Sequence, residues 1–324
     1  MRPPNDSAAR AARIFKGAHM QFTPKSYAGD ELMHITLMDG QARALLINST
    51  ALCEEARSVH TLSNVACAAL GRLRTVSVMM GAMLKTEQGS VTATVKGDGP
   101  LGALVAVAHE DLTVKGYVDR PRTELKLRAD GKLDVGGAVG SGRLTVVRDL
   151  GLREPYVGQV ELQNGEIASD FAYYFAASEQ QPTLLSLGVL MPPAGSGESH
   201  VLSAGGLLIQ PLPGCSEELL EQLEARTGSY ADISRQLIDH SLDELCSAFF
   251  EGLSPAIVER RVPCFRCDCD RERIERALIS LGPEELRSMI EEDGGAQLEC
   301  HFCNRRYHFT GEELSALLRQ ATQA

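Results

Sequence analysis

Five of the chain's nine cysteines fall in its last fifth, and their spacing limits what that segment can become. The stretch PCFRCDCD (263–270) puts Cys264, Cys267 and Cys269 within six positions, and CHFCNRR (300–306) adds Cys300 and Cys303. Around them the chain has little from which to build a core. Two helical patterns offer only Ile274 and Leu278, then Leu286, Met289 and Ile290. AQLE and YHF flank the second cysteine pair as a hairpin, and Thr310 with Glu313 opens a last helix as a capping box. About 60 residues with so few apolar groups need a staple.

Cys267-x-Cys269 and Cys300-x-x-Cys303 supply four soft ligands in two local pairs, which is what a tetrahedral structural zinc site requires. Such a metal contributes on the order of 10–16 kcal/mol to folding, ample for a module its own core cannot hold. Cys264-x-x-Cys267 has the commoner knuckle spacing and competes for the same role, so spacing alone leaves two ligand sets open. His301 and His308 read as hairpin or surface residues, because four thiols already fill a site. A thioredoxin-like reading of CHFC fails on context: a low-pKa redox thiol sits at a helix N-terminus, and LECHFCNRRYHF reads as strand, turn, strand. Thiolates are also targets of oxidants. Each local pair can close on itself, Cys267 with Cys269 and Cys300 with Cys303, which removes the ligands and releases the metal. The C-x-C ring is strained and readily reversed by reductant. A permanent structural zinc module is the plain alternative.

The rest of the chain is long enough, at 324 residues and 44% hydrophobic, for a large core beside this module. HITLM (34–38) and ARALLI (42–47) read as strands around Asp39-Gly40, and Ser49 or Thr50 caps a short helix. Ser63 caps a longer one over about 64–85, whose Val65, Ala69, Leu73, Val76, Met80 and Leu84 form one stripe. SVTATVKGDGP (90–100) alternates as a half-buried strand, and further strands are expected near 101–108, 113–118, 143–147, 157–163, 184–190 and 200–209, with a helix over 167–179. GDGPLG (97–102) matches a phosphate-loop spacing but no helix follows it, so it is a hairpin turn. YVDRPRTELKLR (117–128) reads as a solvated cationic strand face, and Cys53, Cys67, Cys215 and Cys246 as small buried hydrophobes. Nothing matches a nucleophile elbow, a P-loop or H-E-x-x-H.

From Gly214 to Val262 the text turns helical throughout and acidic, with ten carboxylates against four arginines. Each helix is short with one apolar side, so it needs a surface to dock on and can be either folded or melted. The expected organisation is therefore α+β: a tail over 1–30, a mixed domain over 31–213, a helical linker over 214–262 and a zinc-binding module over 263–324. A net charge of −11 argues against a nucleic-acid partner. No apolar run reaches the length of a membrane span, and the Arg-rich N-terminus lacks the apolar stretch of a secretory signal. A reducing, cytoplasmic location is the expectation.

Longer strings carry a resemblance. TLSNVACAALGRL (61–73), VKGDGPLGALVAVA (95–108), GRLTVVRDLG (142–151), DFAYYFAASEQQPTLLSLGV (170–189), FRCDCDRER (265–273) and CHFCNRRYHF (300–309) together resemble the heat shock protein 33 family, the redox-regulated 33 kDa chaperonin of bacterial cytosol. The likeness implies zinc on Cys267, Cys269, Cys300 and Cys303, which resolves the ligand set against Cys264. It implies an ATP-independent holdase rather than an enzyme, idle when reduced and zinc-bound. Oxidation would form the disulfides Cys267–Cys269 and Cys300–Cys303, eject zinc and unfold linker and module. The oxidised homodimer would hold unfolding client proteins. Cys264 departs from the pattern, since it offers Cys267 a rival partner, and the N-terminal extension has no counterpart. The alternative reading is a constitutive zinc-module adaptor for a protein or RNA partner.

Overall fold

A computed structural model describes residues 29–193 and 199–323. In chain order its elements begin with β1 (Glu31–Leu37), β2 (Ala42–Asn48), α1 (Thr50–His60), α2 (Asn64–Ala82), β3 (Ser90–Gly97), β4 (Ala103–His109) and β5 (Thr113–Val118). There follow α3 (Val135–Val139), β6 (Gly142–Asp149), β7 (Tyr156–Glu161), α4 (Ile167–Ser178), β8 (Leu184–Leu190) and β9 (Ser203–Pro211). The acidic stretch holds α5 (Glu217–Ala225), a 3-10 turn (Thr227–Tyr230), α6 (Ile233–Asp239), α7 (Leu242–Phe249) and β10 (Ala256–Arg261). The cysteine-rich end holds β11 (Cys264–Phe265), α8 (Arg271–Leu281), α9 (Pro283–Glu292), β12 (Gly295–Glu299), β13 (Arg306–Thr310) and α10 (Gly311–Gln323).

Two sheets enclose α2. One has five strands in the order β10-β1-β2-β9-β8, the other six in the order β11-β5-β4-β3-β6-β7. The helix packs on β4 and β5 on one side and on β8 and β9 on the other. Sixteen of its residues are buried, so the single apolar stripe expected from its period is in fact an all-round apolar surface. Ser63 caps it by accepting from the Ala66 N–H. By length and composition α2 is also apolar enough to cross a bilayer, although Arg72 and Arg74 interrupt every continuous run; 89% of that window is buried in the fold, which is the position of a core helix. The GDGPLG stretch is the turn between β3 and β4, with Lys96 opposite Ala103.

The five-stranded sheet alternates with period two, and both of its faces are apolar. Leu32, Leu45, Ile47, Ala204 and Leu208 join the cluster around α2. Met33, Ile35, Leu37, Ala44, Leu46, Leu207 and Ile209 face the other way, and the acidic stretch covers them. It does so with Leu219 and Leu223 of α5, Tyr230, Ile233 and Leu237 of α6, Leu242, Leu245 and Phe249 of α7, then Phe250 and Leu253. Tyr230, Phe249 and Phe250 meet edge to face, with ring centres 5.4 Å apart for Tyr230–Phe249 and 6.4 Å for Phe249–Phe250. Ser216 caps α5, and Ser241 with Glu244 forms a capping box on α7.

Three expectations need correction. The stretch 214–262 is not helical throughout: residues 256–261 form β10, which pairs antiparallel with β1. Only the first two residues of YVDRPRTELKLR lie in a strand; the rest is an exposed loop. The tail assignment for 1–30 falls mostly outside the described residues, but Asp30 is buried and its carboxylate accepts the Ala51 and Leu52 N–H groups at 2.8 and 2.6 Å, closing the start of α1.

Because among the described residues the acidic stretch covers the sheet's second face, Phe250→Ala is expected to loosen that stretch, at a cost of about 3–5 kcal/mol. Limited proteolysis should then cut within 214–253 sooner than in the parent chain, while the β2–β9 amides stay protected from hydrogen exchange. Unchanged cleavage would show that the ring does not hold the cover down.

Candidate metal centre

The cysteines of the first pair are placed by a short strand and a helix start. β11 adds to the edge of the six-stranded sheet, parallel to β5, with Cys264 opposite Thr113 and Phe265 opposite Val114. The Cys264 and Arg266 N–H groups donate to Leu112 O at 3.2 Å and Val114 O at 3.3 Å. The chain then turns through Cys267-Asp268-Cys269, and Asp270 caps α8 by accepting from the Arg273 N–H at 2.7 Å.

The second pair sits at the end of the β12–β13 hairpin. The Cys300 N–H donates to Arg305 O at 2.9 Å, and the Cys303 and Asn304 N–H groups return to Cys300 O at 3.3 and 2.8 Å. Asn304 takes the left-handed conformation this tight knuckle needs, with φ 57°.

Cys267, Cys269, Cys300 and Cys303 come together: their four sulfurs all lie within 4.8 Å of one another. The Cys267–Cys300 gap is 3.7 Å and the Cys269–Cys303 gap 3.3 Å. A tetrahedral ion with Zn–S bonds near 2.3 Å needs sulfur–sulfur edges of about 3.8 Å. The donor set therefore fits zinc in number, softness and spacing. Cys264 is exposed and lies outside the cluster, as do His301 and His308, both also exposed. Among the described residues no cysteine is in a disulfide.

Cys269 is buried, and burial works against its ionisation. The Tyr307 hydroxyl, 3.2 Å from its sulfur, and the neighbouring thiols outweigh that and hold it down at about 7. Burial pushes the Cys267 and Cys303 thiols up instead. Tyr307 also reaches Cys269 O at 3.0 Å, so it grips the ligand turn twice. Its own place is set by a small cluster of Leu278, Leu286, Phe309, Leu314 and Leu317. Two of those come from α10, so the segment has more core than its first two helices suggested. The remaining cysteines match the expectation except Cys215, which is half-exposed. Burial pushes Cys53 up to about 12 and raises Cys67, Cys215 and Cys246.

The same turn docks on the main body. Asp268, between two of the four thiols, pairs with Lys115, whose side chain is 9% exposed. Arg266 pairs with Asp111 at 2.7 Å. Tyr117 meets the rings of His301 and Phe302 at 5.4 and 5.2 Å, and Asn304 donates to Val59 O at 2.7 Å. Sequence reading missed Lys115, Tyr117 and Tyr307. Alternation in RYHFT carried a signal for Tyr307; nothing local marks Lys115, which stands 153 residues from its partner.

A family model described as "Hsp33 protein" matches residues 30–310. The chain belongs to the Hsp33 family. It is 42% identical to the 33 kDa chaperonin of Ruminiclostridium cellulolyticum over 294 residues, which is 90% of this chain and 99% of that one. It is 44% identical to that of Alkaliphilus metalliredigens over 290 residues, 89% and 98% of the two chains. Among solved structures, the 33 kDa chaperonin (heat shock protein 33 homolog) of Thermotoga maritima superposes with a TM-score of 0.84 at 36% identity, covering 92% of this chain and all of that one. The Hsp33 relationship spans both sheets, the acidic stretch and the four-thiol cluster alike.

Two substitutions separate ligand from bystander. Cys264→Ser should keep one zinc per chain by metal analysis, and Cys300→Ser should lose it; loss on the first change would mean the other ligand set. Tyr307→Phe should lower zinc affinity about 10-fold in competition with a chelator, as removal of a group that orients a ligand does.

Proposed function

We propose that this chain is a redox-regulated, ATP-independent holdase that is idle while its four thiols hold zinc. The observation that carries the reading is a pair of facts about cover. Four thiols converge in a module with a small core, and among the described residues a stretch of short helices covers one apolar face of the five-stranded sheet and runs through β10 into the first thiols. Cys267, Cys269, Cys300 and Cys303 would hold the ion; when bound it joins two turns and keeps their sulfurs as thiolates.

A peroxide oxidises one thiol of a pair to a sulfenic acid, and its neighbour displaces water to close the disulfide. Each pair gives up two electrons, so Cys267–Cys269 and Cys300–Cys303 together consume two peroxides. The site then has no thiolate ligands left, the module loses its staple, and β10, which leads from the acidic stretch into the thiol segment, loses its fixed end. The uncovered sheet face and the released helices form an apolar surface of the kind that binds non-native chains. The active form is a homodimer in the cytoplasm, with neither nucleic acid nor membrane as partner. The names of the relatives support a chaperone.

The competing reading is a permanent zinc module serving as an adaptor for a protein or RNA. The module's own cluster around Leu278, Leu286 and Phe309 favours it. Twelve acids against eight arginines over 263–324 disfavour RNA as that partner. The two readings part on oxidation. Peroxide should release zinc, consume four thiols and switch on suppression of aggregation of a heat-denatured client. Equal activity before and after treatment would sink the switch.

A substitution should mimic oxidation. The three nearest atoms that a side chain at Gly188 of β8 would meet all belong to Ser234 of α6, at 2.5–3.0 Å, so Gly188→Val presses on the helix that covers the sheet. The reduced, zinc-loaded variant is expected to suppress aggregation without peroxide; silence there, with the helix shown to be displaced, would separate client binding from this face.

A further inference from the structure

The edge of the six-stranded sheet carries a second site that opens when the module leaves. β5 would be an open edge but for two residues, Cys264 and Phe265. Phe265 packs into the main core, and its ring centre lies 5.4 Å from the guanidinium carbon of Arg74. Arg74 is 1% exposed. Its Nη1 donates to Leu52 O at 3.1 Å, while Nε and Nη2 are buried with no partner. Asp30 and Glu55 supply the nearby negative charge. Three residues after Phe265, Asp268 neutralises the nearly buried Lys115. Backbone, aromatic ring and carboxylate are thus all delivered by one extended segment that is interleaved with the thiols Cys264, Cys267 and Cys269.

Removing that segment leaves Leu112 O and Val114 O without their donors, a buried cation without its aromatic lid and an ammonium without its carboxylate. Each loss favours a replacement of the same chemistry. We propose that the β5 edge is a client-binding subsite, and that Phe265-Arg266-Cys267-Asp268 is its built-in occupant, a pseudo-substrate. The proposal rests on the holdase reading. The client it takes is an extended segment of a non-native protein that pairs parallel to β5, with an aromatic residue over Arg74 and a carboxylate three positions later on Lys115. The sheet face under the acidic stretch is lined by apolar side chains such as Met33, Ile35, Leu46 and Ile209, and would take a client by apolar contact.

The test uses the full chain, reduced and peroxide-treated, and a fluorescent peptide of residues 262–270 with its three cysteines replaced by serine. The peptide should bind the oxidised chain and not the reduced one, and should displace a heat-denatured client. Peptides carrying Phe265→Ala or Asp268→Lys should bind about ten-fold more weakly. The chain variant Lys115→Glu, oxidised, should reverse the charge preference and take the Asp268→Lys peptide better than the original, which a merely misfolded variant cannot do. An oxidised chain that suppresses aggregation but neither binds the peptide nor yields client to it overturns this subsite and leaves the holdase reading standing. Failure to suppress aggregation at all removes both. Peptide binding that vanishes on dimer formation, with client holding intact, gives the edge to a second copy and overturns the client assignment.

Discussion

A β-sheet with apolar side chains on both faces must be kept from water twice, and the five-stranded sheet solves the two problems with unequal means. On one side lies α2, nineteen residues long and anchored between two sheets. On the other lie three helices of seven to nine residues joined by turns. Helices that short are not stable by themselves in water, so the second cover exists only while it is docked. Release of the three helices would leave the ladders β1-β2-β9-β8 intact, because those strands pair with one another and not with the cover. That asymmetry between the two covers is the physical basis of the conditional apolar surface proposed above.

On the proposed reading the condition would be set at the thiols. The turn that carries Cys267 and Cys269 also carries Phe265, Arg266 and Asp268, and these make contacts to the main body at β5 and just before it. Ligation and docking are thus written into one stretch of chain. A change at the sulfurs would not need to travel through a long path, because the residues beside them are those that hold the module in place. The knuckle at Cys300–Cys303 adds a second short link through Phe302 and Asn304, which touch Tyr117 and Val59. β10 closes the circuit, since it pairs with β1 at the edge of the five-stranded sheet and leads directly into the thiol segment.

Much of this was legible in the sequence where the signal is local. The helix over 64–82, the strand alternation of 90–97 and the caps at Ser63, Ser216 and Thr310 follow from period and side-chain chemistry within a few residues. The spacing of the thiols marked the site but left Cys264 in contention; the folded chain leaves it exposed outside the cluster. What escaped depends on partners far away. β10 reads AIVERR with no alternation, because its side chains are exposed on both sides and its strand character comes from pairing with β1. β11 is two residues long and exists only because β5 offers an edge. Lys115 carries no local mark in the sequence, and its burial is meaningful only beside Asp268.

The acidity of the second cover belongs to the same logic. Ten carboxylates against four arginines over 214–262 contribute little to packing, since their side chains lie on the solvent side of the helices while the leucines and phenylalanines face the sheet. Once the cover is released, those apolar side chains would drive the freed segment to collapse on itself or on other copies. Like charges spaced every few residues oppose that, and they keep a melted segment extended and solvated. A cover rich in lysine and glutamate in equal measure would fold as well but release less cleanly, because opposite charges favour compact states. In a released linker the charge imbalance would oppose the collapse that the apolar stripe alone favours, so on the proposed reading it would act in the unfolded state of the segment and not in its packing.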